Sequence, residues 1–101
     1  MITLFLTCAD REEATKITHE LLDKKLAACV RLSDVNSTYL WKDKIDNSDE
    51  TLLMIESTQE KFDEIETTVR RIHSYESFVL EAFAPAKVSR GVEEWVKEAV
   101  S

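Results

Sequence analysis

The chain has 101 residues, of which 44% are hydrophobic and 33% are charged, and its formal net charge is −7 at pH 7. This composition predicts one soluble globular domain over residues 1–101 and argues against nucleic-acid binding, for which a basic surface is expected. No apolar run approaches the roughly 18 residues of a membrane span, and the first residues lack the basic start of a signal peptide. We therefore expect a cytoplasmic protein with reduced thiols and without a nucleic-acid or membrane partner.

The first half of the chain predicts a strand, a helix and a long hairpin. Apolar residues alternate over Ile2–Cys8 with the period of a strand. Asp10–Lys25 predicts a helix whose first residue is the N-cap, and Glu13 lies at the capping-box spacing from that residue. The segment Ala27–Thr58 is typical of two strands rich in β-branched and aromatic residues, with the bend expected in the polar stretch Lys42–Asp49.

The second half predicts a helix, a strand and a closing helix. Ser57 is expected to cap a helix over Ser57–His73, Phe78–Ala84 is expected to form the last strand, and Ser89 is expected to cap the closing helix. This order predicts an α+β fold of the ferredoxin-like βαββαβ type with an additional C-terminal helix. Right-handed crossovers place the third strand between the first two and the fourth strand outside the first, in a four-stranded antiparallel sheet.

Two features predict an oligomer. The helices can cover only one face of the sheet, yet Phe5, Leu52 and Met54 give the opposite face an apolar character as well. The hairpin arms exceed the typical strand of about 5–6 residues, and strands that project with unpaired edges usually pair with another chain. Tyr39 and Trp41 lie where the hairpin leaves the body, and they are either an interface anchor or the walls of a ligand pocket.

The strand order also predicts a cluster of polar groups at one end of the sheet. Cys8 ends the first strand and His73 ends the second helix, with Tyr75 and Glu76 just beyond. A thiolate and an imidazole suit copper or zinc, so Cys8 and His73 form a candidate metal site. The alternative is a buried thiol and a histidine stabilised by the helix end. Cys29 is interpreted as a packed strand thiol, too far from Cys8 for a disulfide.

Four blocks of the sequence resemble the CutA family of divalent-cation-tolerance proteins. They are Leu26–Val30, Ser37–Ile45, His73–Glu76 and Val92–Trp95. The resemblance covers nearly the whole chain and implies a homotrimer of ferredoxin-like subunits, locked together by their long hairpins, with the architecture of the PII-like signalling proteins. It implies divalent-cation binding, copper above all, and no catalytic reaction. It further implies a metal site that includes the histidine at position 73, with the thiol at position 8 approximating a second ligand.

The chain departs from the family pattern at several positions. Ser74 replaces the proline of the usual His-Pro-Tyr-Glu block, and Phe78 and Val79 replace the proline and the acidic residue that follow. Asp43 stands in place of the glycine of the usual Trp-x-Gly-Lys turn, which here reads Trp41-Lys42-Asp43-Lys44, and Glu56 replaces a common lysine. Lys44, Tyr75 and Glu76 are candidates for an interface or an intersubunit cleft.

The resulting function prediction is a homotrimer that binds divalent metal ions and takes part in cation (copper) tolerance. A divalent ion, copper or zinc, is the expected ligand, and folding is expected not to require it. A PII-like small-molecule sensor and a purely structural trimer are the alternatives. A hydrolase of the acylphosphatase kind is disfavoured because Glu12 and Glu13 beside Arg11 would repel phosphate.

Overall fold

The protein folds into a four-stranded antiparallel sheet with helices on one face. A computed structural model describes all residues from 1 to 101. The sheet has the order β2-β3-β1-β4, so the predicted ferredoxin-like topology is confirmed. The elements are β1 (Ile2–Cys8), α1 (Arg11–Asp23), β2 (Cys29–Trp41), β3 (Lys44–Ser57), a 3-10 turn (Gln59–Lys61), α2 (Phe62–Ile72), β4 (Leu80–Phe83) and α3 (Val92–Ala99).

The core lies between the sheet and helices α1 and α2. Alternate residues of β1 and β3 point into it, which is why a period of two in the sequence predicts them. Each large apolar side chain buried here contributes about 1.5–3 kcal/mol. The fully buried members include Leu4, Leu6, Cys8, Ile17, Leu21, Leu53, Ile55, Ile65 and Val69.

The opposite face of the sheet carries a second apolar set without a covering helix. The Phe5 ring packs against Phe83 at 5.3 Å, and Phe5 remains 36% exposed. Beside them, Arg31 forms an ion pair with Glu56 at 3.2 Å. Cys29 pairs with Glu56 in the ladder, and both cysteines are free, as the strand order predicts. This face therefore mixes apolar and charged groups, as interface surfaces commonly do.

The outer part of the β2–β3 hairpin projects beyond the rest of the molecule. β1 pairs with β3 only as far as Cys8↔Thr51, whereas β2 and β3 continue to pair with each other from Val35↔Glu50 to Trp41↔Lys44. The molecule is accordingly elongated, measuring 45 × 27 × 21 Å. Apolar side chains near its tip have no cover within the chain: Leu40 is 76% exposed and Trp41 is 60% exposed.

The bend lies within the predicted segment Lys42–Asp49 but is much shorter than that segment. The chain reverses at Lys42 and Asp43 alone, whose φ angles of 50° and 64° belong to a tight two-residue hairpin turn. The polar residues that follow stay in the strand because their side chains bond across the ladder. Asn47 donates to the Oδ1 atom of Asn36 at 2.7 Å, and Asn36 donates to Asp49 at 2.9 Å. These cross-strand bonds outweigh a composition typical of turns.

Both predicted serine caps were wrong. Ser57 is the last residue of β3, and its buried hydroxyl donates to the carbonyl of Leu26 at 2.6 Å instead of capping a helix. Ser89 lies before α3, but the cap position is Gly91, whose φ of 88° favours glycine. β4 is shorter than the predicted Phe78–Ala84, since it pairs only with residues 3–6 of β1.

None of the helices has the length and apolarity needed to cross a membrane.

Candidate metal centre

Three elements bring potential metal ligands together at one end of the sheet. Cys8 is the last residue of β1, Glu13 lies in the first turn of α1, and His73 is the C-cap of α2. Their ligand atoms all lie within 4.8 Å of one another. Cys8 has no exposed surface, and the side chains of His73 and Glu13 are 0% and 11% exposed. The predicted proximity of Cys8 and His73 is therefore confirmed as geometry.

Both ring nitrogens of His73 already have hydrogen-bond partners. Nε2 lies 2.8 Å from the carbonyl oxygen of Thr7, which can only accept, so this nitrogen carries the hydrogen. Nδ1 accepts a hydrogen bond from the backbone N–H of Tyr75 at 3.0 Å. The imidazole is therefore neutral, and its contact of 3.7 Å with Glu13 is not a salt bridge in this state.

Glu13 connects the start of α1 to the segment after α2. Its carboxylate accepts the backbone N–H of Ala9 at 2.8 Å and that of Ser74 at 2.6 Å. Partial burial acts to raise the pKa of Glu13, but these hydrogen bonds outweigh it and hold the pKa below its ordinary value. Glu13 is thus an anchored anion that faces the imidazole and the thiol.

The thiol of Cys8 is protonated at neutral pH. Burial raises the pKa of Cys8 to about 12, and the nearby carboxylates of Glu13, Asp10 and Glu50 add to the effect. A cysteine with such a pKa is a poor nucleophile but a usable metal ligand, because a cation that binds it displaces the proton. The environment therefore favours an inert thiol in the absence of a cation.

Tyr75 closes the site on the side of the hairpin. Its hydroxyl donates to the carboxylate of Glu50 at 2.6 Å, and burial together with this carboxylate raises the pKa of Tyr75. The His73 ring contacts two aromatic rings, with the centroid of Tyr75 at 4.8 Å and that of Phe78, which is stacked, at 5.1 Å. Phe78, which departs from the family pattern, thus packs on the histidine, and the guanidinium carbon of Arg70 lies 4.6 Å from the centroid of the Phe78 ring.

The structure does not bring the other predicted residues to this site. Glu76 is exposed just past Tyr75. Lys44 and Trp41 pair with each other at the far end of the hairpin, and the Tyr39 hydroxyl bonds to Ser48 at 2.7 Å. They remain predictions for an interface or a cleft.

Sequence reasoning missed Glu13 as a third member of the cluster. Its spacing from Asp10 predicts a helix cap, and Asp10 does accept the N–H of Glu13 at 2.9 Å. The carboxylate of Glu13, however, reaches Ala9 and Ser74 instead of completing the reciprocal cap. The sequence did contain a signal for this placement: Glu13 lies in the first turn of the helix that directly follows β1, and β1 ends at Cys8.

The donor set fits a divalent cation. Thiolate, imidazole and carboxylate are the side-chain ligands of zinc, and thiolate and imidazole also suit copper. Next to the cluster lies an open cleft of about 650 Å³ between the start of α1 and the hairpin. Its lining residues are Ala9, Asp10, Arg11, Asp34, Val35, Asn36, Asp49, Glu50 and Thr51.

Fold and site together define a ferredoxin-like domain with a long hairpin and a buried Cys/Glu/His cluster. The family model of the CutA1 divalent ion tolerance protein matches residues 2–99, and the chain belongs to this family. The divalent-cation tolerance protein CutA of Archaeoglobus fulgidus is 34% identical over 100 residues, which cover 96% of this chain and 95% of that protein.

Two further comparisons agree with this assignment. The divalent-cation tolerance protein CutA of Thermotoga maritima is 30% identical over 99% of both chains. The solved structure of the periplasmic divalent cation tolerance protein CutA from Archaeoglobus fulgidus superposes with a TM-score of 0.96 at 31% identity and full coverage of both chains. The resemblance found in the sequence is therefore confirmed, and the family supports a role in metal tolerance.

Proposed function

We propose that the protein binds a divalent cation, copper or zinc, through Cys8, Glu13 and His73, and that it acts in cation tolerance as a homotrimer. The observation that carries the metal proposal is the convergence of a thiol, a carboxylate and an imidazole within 4.8 Å in a buried position. Family membership supports the same role, because relatives of this chain are named divalent-cation tolerance proteins.

Each of the three residues has a distinct part in this proposal. Cys8 gives up its proton and supplies the soft donor that favours copper or zinc over magnesium or calcium. Glu13 supplies negative charge and is held in place by the N–H group of Ala9. His73 supplies a nitrogen, and its ring is oriented by the carbonyl of Thr7.

Calorimetric titration with zinc and copper tests the site. Cys8→Ser and His73→Gln should each weaken binding by at least the roughly 10–100-fold that even supporting residues of metal sites contribute. Cys29→Ser is the matched control, since it removes a free thiol from the opposite face of the sheet. Titration in buffers of different ionisation enthalpy should also show release of a proton by Cys8.

Equal binding by wild type, Cys8→Ser and His73→Gln would place the cation elsewhere. Proton release that persists in Cys8→Ser would likewise contradict the part given to the thiol.

The proposal of a homotrimer is supported by the uncovered surfaces. The open sheet face carries Phe5 and Phe83, and the hairpin tip carries Leu40, Trp41 and Ile45, all at least 36% exposed. Exposed apolar surface of this extent marks an interface. A ring of three copies leaves no hairpin edge unpaired, and the family resemblance supplies the number.

One observation favours the alternative of a small-molecule sensor. The cleft beside the cluster has the size of a ligand site, but Asp10, Asp34, Asp49 and Glu50 give it an acidic lining. Such a lining favours a cationic ligand over a nucleotide. Titration with common metabolites, including polyamines and nucleotides, separates this function from metal binding.

A further inference from the structure

The segment His73–Tyr75 lies across the candidate metal centre, and hydrogen bonds from all three of its residues hold it there. The N–H of Ser74 donates to Oε1 of Glu13 at 2.6 Å. The N–H of Tyr75 donates to Nδ1 of His73 at 3.0 Å, and the Tyr75 hydroxyl donates to Glu50 at 2.6 Å. The segment is thereby tied to the start of α1 on one side and to the hairpin on the other.

This arrangement leaves His73 without a free nitrogen. A neutral imidazole has one lone pair available for a cation, on the nitrogen that carries no hydrogen. Here that nitrogen is Nδ1, and the Tyr75 N–H points at it. The other nitrogen donates its hydrogen to the Thr7 carbonyl, deep against β1. A cation can reach His73 only after one of these two contacts opens.

We propose that residues 73–75 form a latch that closes the site to divalent cations, and that the backbone N–H of Ser74 is the group that holds the latch shut. The inference rests on the proposed function of Cys8, Glu13 and His73 as cation ligands. Opening requires the Tyr75 N–H to move away from Nδ1, and the bond from Ser74 to Glu13 restrains the chain one residue earlier.

The identity of residue 74 decides whether this restraint exists. A proline has no N–H and cannot make the bond to Glu13. The residue before it already has the conformation favoured before proline, since His73 has φ −64° and ψ 136°. The corresponding block of the CutA family has proline at this position. Serine therefore adds a hydrogen bond to the charged Glu13 without changing the path of the chain up to His73.

The latch lowers the apparent affinity for a divalent cation, while Cys8, Glu13 and His73 remain the ligands. When only a fraction of molecules is open, the apparent dissociation constant equals the intrinsic one divided by that fraction. A hydrogen bond to a charged group is strong enough to keep about nine in ten molecules closed. We therefore expect Ser74→Pro to bind zinc about tenfold more tightly than the wild type.

Calorimetric titration with Zn²⁺ compares the full-length wild type with three variants. Ser74→Ala keeps the N–H and should match the wild type, which separates the backbone from the hydroxyl. Tyr75→Phe loosens the other anchor, at Glu50, and should raise zinc affinity several-fold even if Ser74→Pro folds poorly. If neither Ser74→Pro nor Tyr75→Phe binds zinc more tightly than the wild type, the latch is wrong, while the proposed metal site still stands. Absence of zinc binding in every protein would overturn the proposed function and the latch with it.

A measurement without metal tests the closed state directly. In the metal-free wild type, the amide hydrogens of Ser74 and Tyr75 should exchange slowly with solvent, and the nitrogen chemical shifts of the His73 ring should report hydrogen on Nε2. In Tyr75→Phe the same amides should exchange faster while core amides of β1 stay unchanged. Rapid exchange of both amides in the wild type would overturn the latch whatever the zinc titrations give.

Discussion

Apolar side chains are buried in the body of the molecule but exposed in the outer part of its hairpin. In the body, Leu53 of β3 is fully buried between the sheet and the helices. On the same pair of strands farther out, Leu40 and Ile45 are 76% and 78% exposed. The strands are continuous, so the backbone ladder does not cause the difference. The body is stabilised by its own core, whereas the hairpin tip carries apolar surface that no part of this chain covers.

The largest effect should follow from a deletion in the body. Leu53→Ala removes a fully buried side chain and should lower the free energy of unfolding by about 2–5 kcal/mol, because it loses burial and leaves a cavity. Urea denaturation measures the change. Leu40→Ala deletes the same atoms at an exposed position, where contacts within the chain should contribute less than about 0.5 kcal/mol.

These paired deletions can also break the comparison between the two regions. In the proposed trimer a neighbouring subunit covers the hairpin tip, so any larger effect of Leu40→Ala should fall as the protein is diluted. An effect near that of Leu53→Ala that does not depend on protein concentration would show that the chain itself buries the tip. If Leu53→Ala has an effect below about 1 kcal/mol, the body does not depend on the core described above.

The next largest effect should be on assembly. Trp41→Ala removes an exposed aromatic side chain whose burial between subunits is worth about 1.5–3 kcal/mol for each copy. Light scattering over a dilution series should therefore show a smaller mass than for the wild type, while the circular dichroism of the subunit is retained. Lys16→Ala, at an exposed position of α1 away from the hairpin, is the control and should leave the mass unchanged. A monomeric wild type at micromolar concentration would contradict the trimer and the role of the hairpin.

Loss of a polar contact should also destabilise the protein more in the body than in the outer hairpin, but the two changes in the free energy of unfolding should differ less than for the leucine deletions. Ser57→Ala removes a buried donor and leaves the carbonyl of Leu26 without this partner, so unfolding should become easier by about 1–3 kcal/mol. Asn36→Ala breaks exposed hydrogen bonds of the hairpin and should lower the free energy of unfolding by less than about 1 kcal/mol. Urea denaturation tests this order: the midpoint of Ser57→Ala should be lower than that of Asn36→Ala, and the reverse result would contradict the prediction.

The smallest expected effect is a pH dependence at the candidate metal centre. The folded pKa of Glu13 is lowered, so the unfolded chain binds more protons at acid pH. The stabilisation is complete above the unfolded pKa of about 4.3 and is lost as pH falls through the folded value. Free energies of unfolding measured between about pH 6 and pH 3 should fall less steeply in Glu13→Gln than in the wild type. Glu12→Gln, an exposed position in the same helical turn, should keep the wild-type slope.

The sequence by itself determined the order of the elements, the sheet topology and the family. Alternation in Ile2–Cys8, the cap at Asp10 and right-handed crossovers suffice for this, because local periodicity and connection rules depend on nearby residues. The same rules placed Cys8 and His73 at one end of the sheet. They overestimated the length of the hairpin bend, because cross-strand hydrogen bonds of Asn36 and Asn47 keep turn-forming residues in the strands. They failed at Ser57, whose hydroxyl donates to the distant carbonyl of Leu26.

Only the tertiary structure decided the state of the candidate site. Glu13 has the sequence spacing of a helix cap, and its place beside Cys8 and His73 depends on how α1 packs between β1 and α2. The occupied nitrogens of His73 depend on Thr7 and Tyr75, and the restraint on that segment depends on a backbone N–H of Ser74. Apart from the local bond between Tyr75 and His73, contacts between residues far apart in the chain set these properties, and no local pattern of residue types specifies them.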